Sequence, residues 1–326
     1  MLSRVADSLY WMSRYVERAE NVARFIDVNY NLTLGEGDGL SGQWAPLVDT
    51  TGDHEDFKKL YGEASRDNVV QFLAFDERNP NSILSCVSRA RESARSVRET
   101  ITSDMWEALN KFYLMVRSAA RSPNRLAGAY AFCDAVRVAS HTLIGITYTT
   151  MSHGEAWHFL RMGRLIERAD KTSRIVDVQY YLLLPSPDDV GSSLDVVRWS
   201  ALLRSTSALS MYRRVHGQIT PNRVADFLIL DRDFPRAMRF CVLRAQNSLD
   251  EITGARSGTF RRRSEQLFGR MRAVLDYTAI EDVIARGMHE YIDEFQTRLN
   301  EIGAAIQADF FTQGDLEPLA QSQRQS

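Results

Sequence analysis

One helical segment is written twice in this chain, and any fold it adopts has to house both copies. Residues 12–34 read MSRYVERAENVARFIDVNYNLTL and residues 162–184 read MGRLIERADKTSRIVDVQYYLLL. Aligned 150 positions apart, they pair Arg14 with Arg164, Glu17 with Glu167, Arg18 with Arg168, Arg24 with Arg174, Asp27 with Asp177 and Tyr30 with Tyr180. A spacing of this size is far beyond the 20–45-residue unit of a solenoid. It points instead to a duplicated half-molecule.

The period of the segment is that of an α-helix. Counted from Arg14 at 100° per residue, Tyr15, Ala19, Val22, Ala23 and Ile26 fall on one side, while Glu17, Glu20, Arg24 and Asp27 gather within about 80° on the other. Glycine-rich 35–43 breaks the pattern and reads as a loop. A second helix is predicted from Trp44 to Gly62, weakened around Thr51–Asp53. Ser65 caps a short helix that stops before Asn79-Pro80, and a longer one starts at Pro80. Ser103 or Asp104 caps the next, and residues 124–150 form the last of this half. The same order returns with an offset of 155, pairing Trp44/Trp199, Gly62/Gly217, Asp76/Asp231, Pro80/Pro235, Cys86/Cys241 and Arg89/Arg244, and setting helix 280–310 against 124–150. Residues 313–326 are polar and aperiodic, and read as an unordered tail. The expectation is an all-α fold: two duplicated halves of about six helices each, 1–152 and 153–312, packed about a pseudo-two-fold axis where the repeated helices meet.

The charged face of the repeated helix admits three readings. Arg14, Glu17, Arg18, Glu20, Arg24 and Asp27 sit three, four and seven apart, as on a solvated face laced with weak ion pairs. Yet both copies keep Arg14, Glu17, Arg18, Arg24 and Asp27 while Asn21/Lys171, Val22/Thr172 and Ala23/Ser173 beside them differ, so the charged positions are constrained. In a structural reading Glu17 pairs with Arg168, and Glu167 with Arg18, across the axis, using the bidentate fork of arginine. In a functional reading Glu17 or Glu167 is a general base in a cleft. Arg14, Arg18, Arg24, Asp27, Arg164, Arg168, Arg174 and Asp177 then line it and bind anionic groups.

Other chemistry has less to stand on. A net charge of −2 offers no field for a polyanion, which argues against nucleic acid. Cys86, Cys133 and Cys241 lack metal-ligand spacing, suit a reducing compartment and read as core thiols. The N-terminus is charged too early for a signal peptide. The most apolar stretch, 127–151, is broken by Asp134, Arg137 and His141, so no membrane span is expected and the chain reads as cytoplasmic. Glu155 and His158 have di-iron spacing, but their repeat partners are Val5 and Ser8, and no metal or other cofactor is expected. His153 and His158, beside Trp157, read as packing residues. His216 falls opposite Tyr61, and Arg261–Arg263 reads as a solvated basic run. Nucleotide-binding glycine motifs and a serine-hydrolase elbow are both missing.

The segments LSRVADSLYWMSRYVERAENVAR and GRLIERADKTSRIVDVQYYLL resemble the bacterial alpha-E family, a helical domain of unknown function with a Glu-Arg motif, over nearly the whole chain to about residue 312. Such a resemblance implies genomic company more than mechanism: an ATP-grasp ligase and a transglutaminase-like peptidase as partners, in a pathway that makes, modifies or trims amide bonds. Three functions then stand open. The chain is an accessory or substrate-presenting subunit of the ligase, an enzyme acting on a carboxylate or amide at its Glu/Arg face, or a scaffold without chemistry.

Overall fold

A computed structural model of the chain describes residues 1–33, 44–183, 193–256 and 258–312. The predicted 35–43 loop, most of the 184–198 connection and the 313–326 tail lie outside the described residues, as does the side chain of Tyr180. Within them the fold is all-helical, with fifteen α-helices and no strand. Apolar side chains from nearly every helix join one hydrophobic core.

The first repeated segment lies in α1 (Ser3–Thr33) and the second in α8 (Glu155–Leu183), and these long helices pack directly on each other. Against α1 lie α5 (Ile83–Ser96) and α7 (Ala129–Thr150), with α6 (Ser103–Arg121) closing a four-helix group. Against α8 lie α12 (Met238–Thr253) and α15 (Met288–Ile306), closed in the same way by α13 (Arg263–Tyr277). Shorter helices fill the ends: α2 (Ala45–Thr51), α3 (His54–Tyr61) and α4 (Arg66–Val70) in the first half; α9 (Ser193–Ser205), α10 (Leu209–His216), α11 (Pro221–Ile229) and α14 (Ile280–Arg286) in the second.

Several boundaries differ from the sequence expectation, each for a local reason. The 44–62 helix is two, α2 and α3, because Gly52 turns left-handed (φ +80°) and takes hydrogen bonds back to Val48 and Asp49. Pro80 stands before α5 rather than in its first turn, since Ser82 is the cap and accepts from the Ser85 amide. Thr102, not Ser103 or Asp104, caps α6 through the Met105 amide. Gly287 (φ +100°) splits the expected 280–310 helix into α14 and α15; among the described residues, 1–152 hold seven α-helices and 153–312 hold eight, rather than about six each.

The two long helices touch through backbone at Gly163. A Cβ built there would overlap the Tyr10 carbonyl oxygen and stand 2.7 Å from Ser13 Oγ. Backbone contact at this point lets the following turns of both helices lie side by side. That places the Glu-Arg dipeptides opposite each other, and α1 is enclosed on nearly every side: Glu17, Glu20, Asn21 and Arg24 are as buried as Ala19, Val22 and Ile26.

Candidate functional site

The centre of the α1–α8 contact is a reciprocal pair of ion bridges. Arg168 donates from Nε to Glu17 Oε1 at 2.7 Å and from Nη2 to Oε2 at 2.8 Å. Arg18 does the same to Glu167, at 2.6 and 3.0 Å, and Arg14 Nε adds a bond to Glu167 Oε2 at 2.9 Å. Both carboxylates are buried, at 1% and 0% exposure. Burial pushes Glu17 up, but Arg168 and Arg236 outweigh it and hold the carboxyl below the ordinary range. Glu167 is likewise held low, with Arg18, Arg14 and Lys171 outweighing burial. The solvated-face reading fails on this burial.

A second tier surrounds each bridge, and its cations come from different places. Beside Glu17, Arg236 enters from the segment before α12, donating to Glu20 Oε2 (2.7 Å) and Asn21 Oδ1 (2.9 Å) and lying 3.5 Å from Glu17 Oε1. Beside Glu167 the corresponding charge is Lys171, on α8 itself, 3.9 Å from Glu167 and 3.2 Å from Asp170. Position 236 aligns with Asn81, and position 171 with Asn21, so each acidic pair keeps one extra buried cation by a different route. Asn81 uses its carbonyl to accept from Arg18 at 2.6 Å and its amide to bond Asp53 at 2.7 Å.

Further residues of the repeated face diverge along the helices. Arg24 bridges to Glu20 and donates to Ser207 Oγ. Arg174 bonds both oxygens of Asp170 at 3.1 Å, with Gly52 against its guanidinium. Gly52 and Ser207 align in the repeat and both are left-handed, at φ +80° and +55°. Asp27 pairs with Arg137 at 2.6 Å, and Asp177 with His289 at 2.7 Å. Arg14, Arg18, Glu17, Glu167 and Arg168 thus converge on one cluster; Arg24 and Arg174 join its edge through Glu20 and Asp170, while Asp27 and Asp177 sit in separate contacts toward the C-terminal ends of α1 and α8.

Arg164 departs from its counterpart. Arg14 engages Glu167, the Tyr10 hydroxyl (3.1 Å) and the face of Trp11. Among the described residues Arg164 has no carboxylate partner, and its Nε is buried without an acceptor. Burial, reinforced by Arg168 and only partly opposed by Glu17, pulls it down to about 10.

Sequence reasoning missed Arg236, Lys171 and the α7 residues Arg137 and His141, which reach Asp27 and Glu20. A signal for the last two was present: they are the polar interruptions of the most apolar stretch, one turn apart on one helical face. The remaining candidates are quiet. Burial pushes the Cys86 and Cys241 thiols up to about 12 and raises Cys133 as well, which suits inert core groups. His153 stacks on Trp157 at 4.1 Å, Glu155 meets the N-terminal amine, and His216 packs on Tyr212. No group of three metal-ligating side chains occurs among the described residues. Nor is any helix there long and apolar enough to cross a membrane.

A general base needs a lone pair open to its substrate and a pKa near the working pH. Glu17 and Glu167, buried beneath their arginines and held below the ordinary range, offer neither. They are suited to holding α1 against α8. Breaking one such buried pair strands its partner and costs about 3–5 kcal/mol.

A family model, Alpha-E, described as a predicted alpha-helical domain with a conserved ER motif, matches residues 1–311. Uncharacterized proteins of Mycobacterium bovis and Mycobacterium tuberculosis are 23% identical over 312 residues, covering 89% of this chain and 34% of theirs. The chain therefore spans about a third of the length of the curated relatives it matches. No solved structure matches.

Proposed function

The chain belongs to the Alpha-E family, and from that premise we propose that it is a non-catalytic helical module that assists an ATP-grasp amide ligase and a transglutaminase-like peptidase in making or modifying amide bonds. The observation that carries this reading is the mutual saturation of the two Glu-Arg pairs. With Glu17 closed by Arg168 and Glu167 by Arg18, the motif acts as a clamp between helices, and the reactive chemistry falls to a partner. Relatives that are about three times as long support a modular role, because most of each lies outside the matched region. The ATP-grasp and peptidase partnership itself rests on the family resemblance.

The same reading includes an origin by doubling of one helical bundle, with α1 and α8 facing each other about a local two-fold. Support comes from the equivalent neighbours of α1 (α5, α7) and α8 (α12, α15), from the reciprocal bridges, and from Gly62 and Gly217, left-handed at φ +73° and +67°. The functional test is co-purification: the tagged full chain expressed with an ATP-grasp ligase of the kind the family resemblance implies as its partner. Stoichiometric co-elution on size exclusion is expected. Separate elution, together with unchanged ligase turnover when this chain is added, overturns the proposal.

A further inference from the structure

Arg164 keeps an arginine where none of its counterpart's bonds is made. The residues that hold Arg14 are Tyr10, Trp11 and Glu167; at the aligned positions stand Leu160, Arg161 and Glu17. Leu160 has no hydroxyl, Arg161 adds a second positive charge, and Glu17 is already taken by Arg168 and Arg236. A largely buried guanidinium without a counter-ion is expensive to keep.

Arg164 lies at the wall of a narrow, partly open slot between α1, α7 and α8, with about 40 Å³ of space inside it. Arg161 lines the same slot with its guanidinium over Trp157, 5.3 Å from the ring centre, and carries no ion pair among the described residues. The rest of the lining is mostly apolar, led by Leu143, Ile144 and Leu160, and includes no carboxylate. Two cations at one side of a narrow apolar slot, with no acid facing them, are complementary to an anion that carries a slender apolar arm.

We propose that this slot binds a small molecule joining an oxyanion to an apolar arm, the oxyanion held by Arg164 and Arg161 and the arm lying along Leu143, Ile144 and Leu160. The inference does not depend on the accessory reading, because it concerns the isolated chain. A failed co-purification leaves it standing, and a failed titration leaves the partnership standing.

Calorimetric titration of the full chain with hexanoate, hexyl phosphate, hexanol and inorganic phosphate tests it. Hexanoate or hexyl phosphate should bind saturably, and the tighter of the two identifies the headgroup. Hexanol and inorganic phosphate, each lacking half of the ligand, should bind at least tenfold more weakly. Arg164→Leu should lose tenfold or more in affinity for the amphiphile while melting at the same temperature as the parent or higher, and Arg164→Lys should recover part of that loss. Arg263→Gln, on the exposed basic run away from the slot, should bind like the parent. Absence of saturable binding by both amphiphiles overturns the proposal. So does undiminished binding by Arg164→Leu, hexanol binding as tightly as hexanoate, or an equal loss in Arg263→Gln.

Discussion

Buried charge in this protein is balanced residue by residue, and the two halves reach the balance differently. Glu17 and Glu20 share Arg236, contributed from more than two hundred positions away, whereas Glu167 and Asp170 share Lys171 from their own helix. At the sequence level Asn21 against Lys171 looks like drift beside constrained neighbours. In the fold it is one side of an exchange whose other side is Asn81 against Arg236. The exchange was not legible beforehand because it needs the knowledge that the segment before α12 meets α1. It makes a prediction. Arg236→Asn should destabilise the fold by about 3–5 kcal/mol, since it strips a cation from two buried carboxylates. Adding Asn21→Lys, which installs the arrangement of the other half, should restore at least about 1 kcal/mol of that loss. Chemical denaturation of both variants checks this, and a double variant no more stable than the single one would refute the exchange.

Among the elements, α1 and α8 were the most legible, since their period, length and repeated charges all stand in the sequence. The helix ends were less so, because capping depends on which hydroxyl reaches an amide, and Thr102 won over Ser103 and Asp104 by geometry alone. Gly163 also went unread. Glycine inside a helix ordinarily marks a weak point, about 1 kcal/mol worse than alanine. Here it is the place where two helices touch through backbone, aligned with Ser13 in the other copy of the repeat. Gly163→Ala should therefore reverse the usual sign. The added Cβ meets the Tyr10 carbonyl, the helices must part, and every Glu-Arg bridge downstream lengthens. A net loss of about 1–3 kcal/mol is expected, read as a lower denaturant midpoint with unchanged helical circular dichroism in the native baseline. A midpoint at or above that of the parent would show that α1 and α8 do not cross there.

For the whole molecule, the buried bridges tie stability to acid in a direction that can be worked out. Burial alone would raise Glu17, Glu20 and Glu167, but the arginines around them win and all three are held below the ordinary carboxylate range. A carboxyl with a depressed folded-state pKa binds protons more readily in the unfolded chain, so its contribution is complete above the unfolded value of about 4.3 and fades as pH falls through the folded value. Melting temperature should accordingly stay level from pH 7 to about 5 and drop below about 4, at roughly 1.4 kcal/mol per group for each unit of depression. Glu167→Gln supplies the control. It leaves Arg14 and Arg18 without their carboxylate, so it should melt lower at pH 7, yet its melting temperature should fall less steeply between pH 4 and 2. If parent and variant lose stability in parallel through that window, the carboxylates at the α1–α8 contact are not what acid attacks, and the clamp role given to the Glu-Arg motif loses its energetic basis.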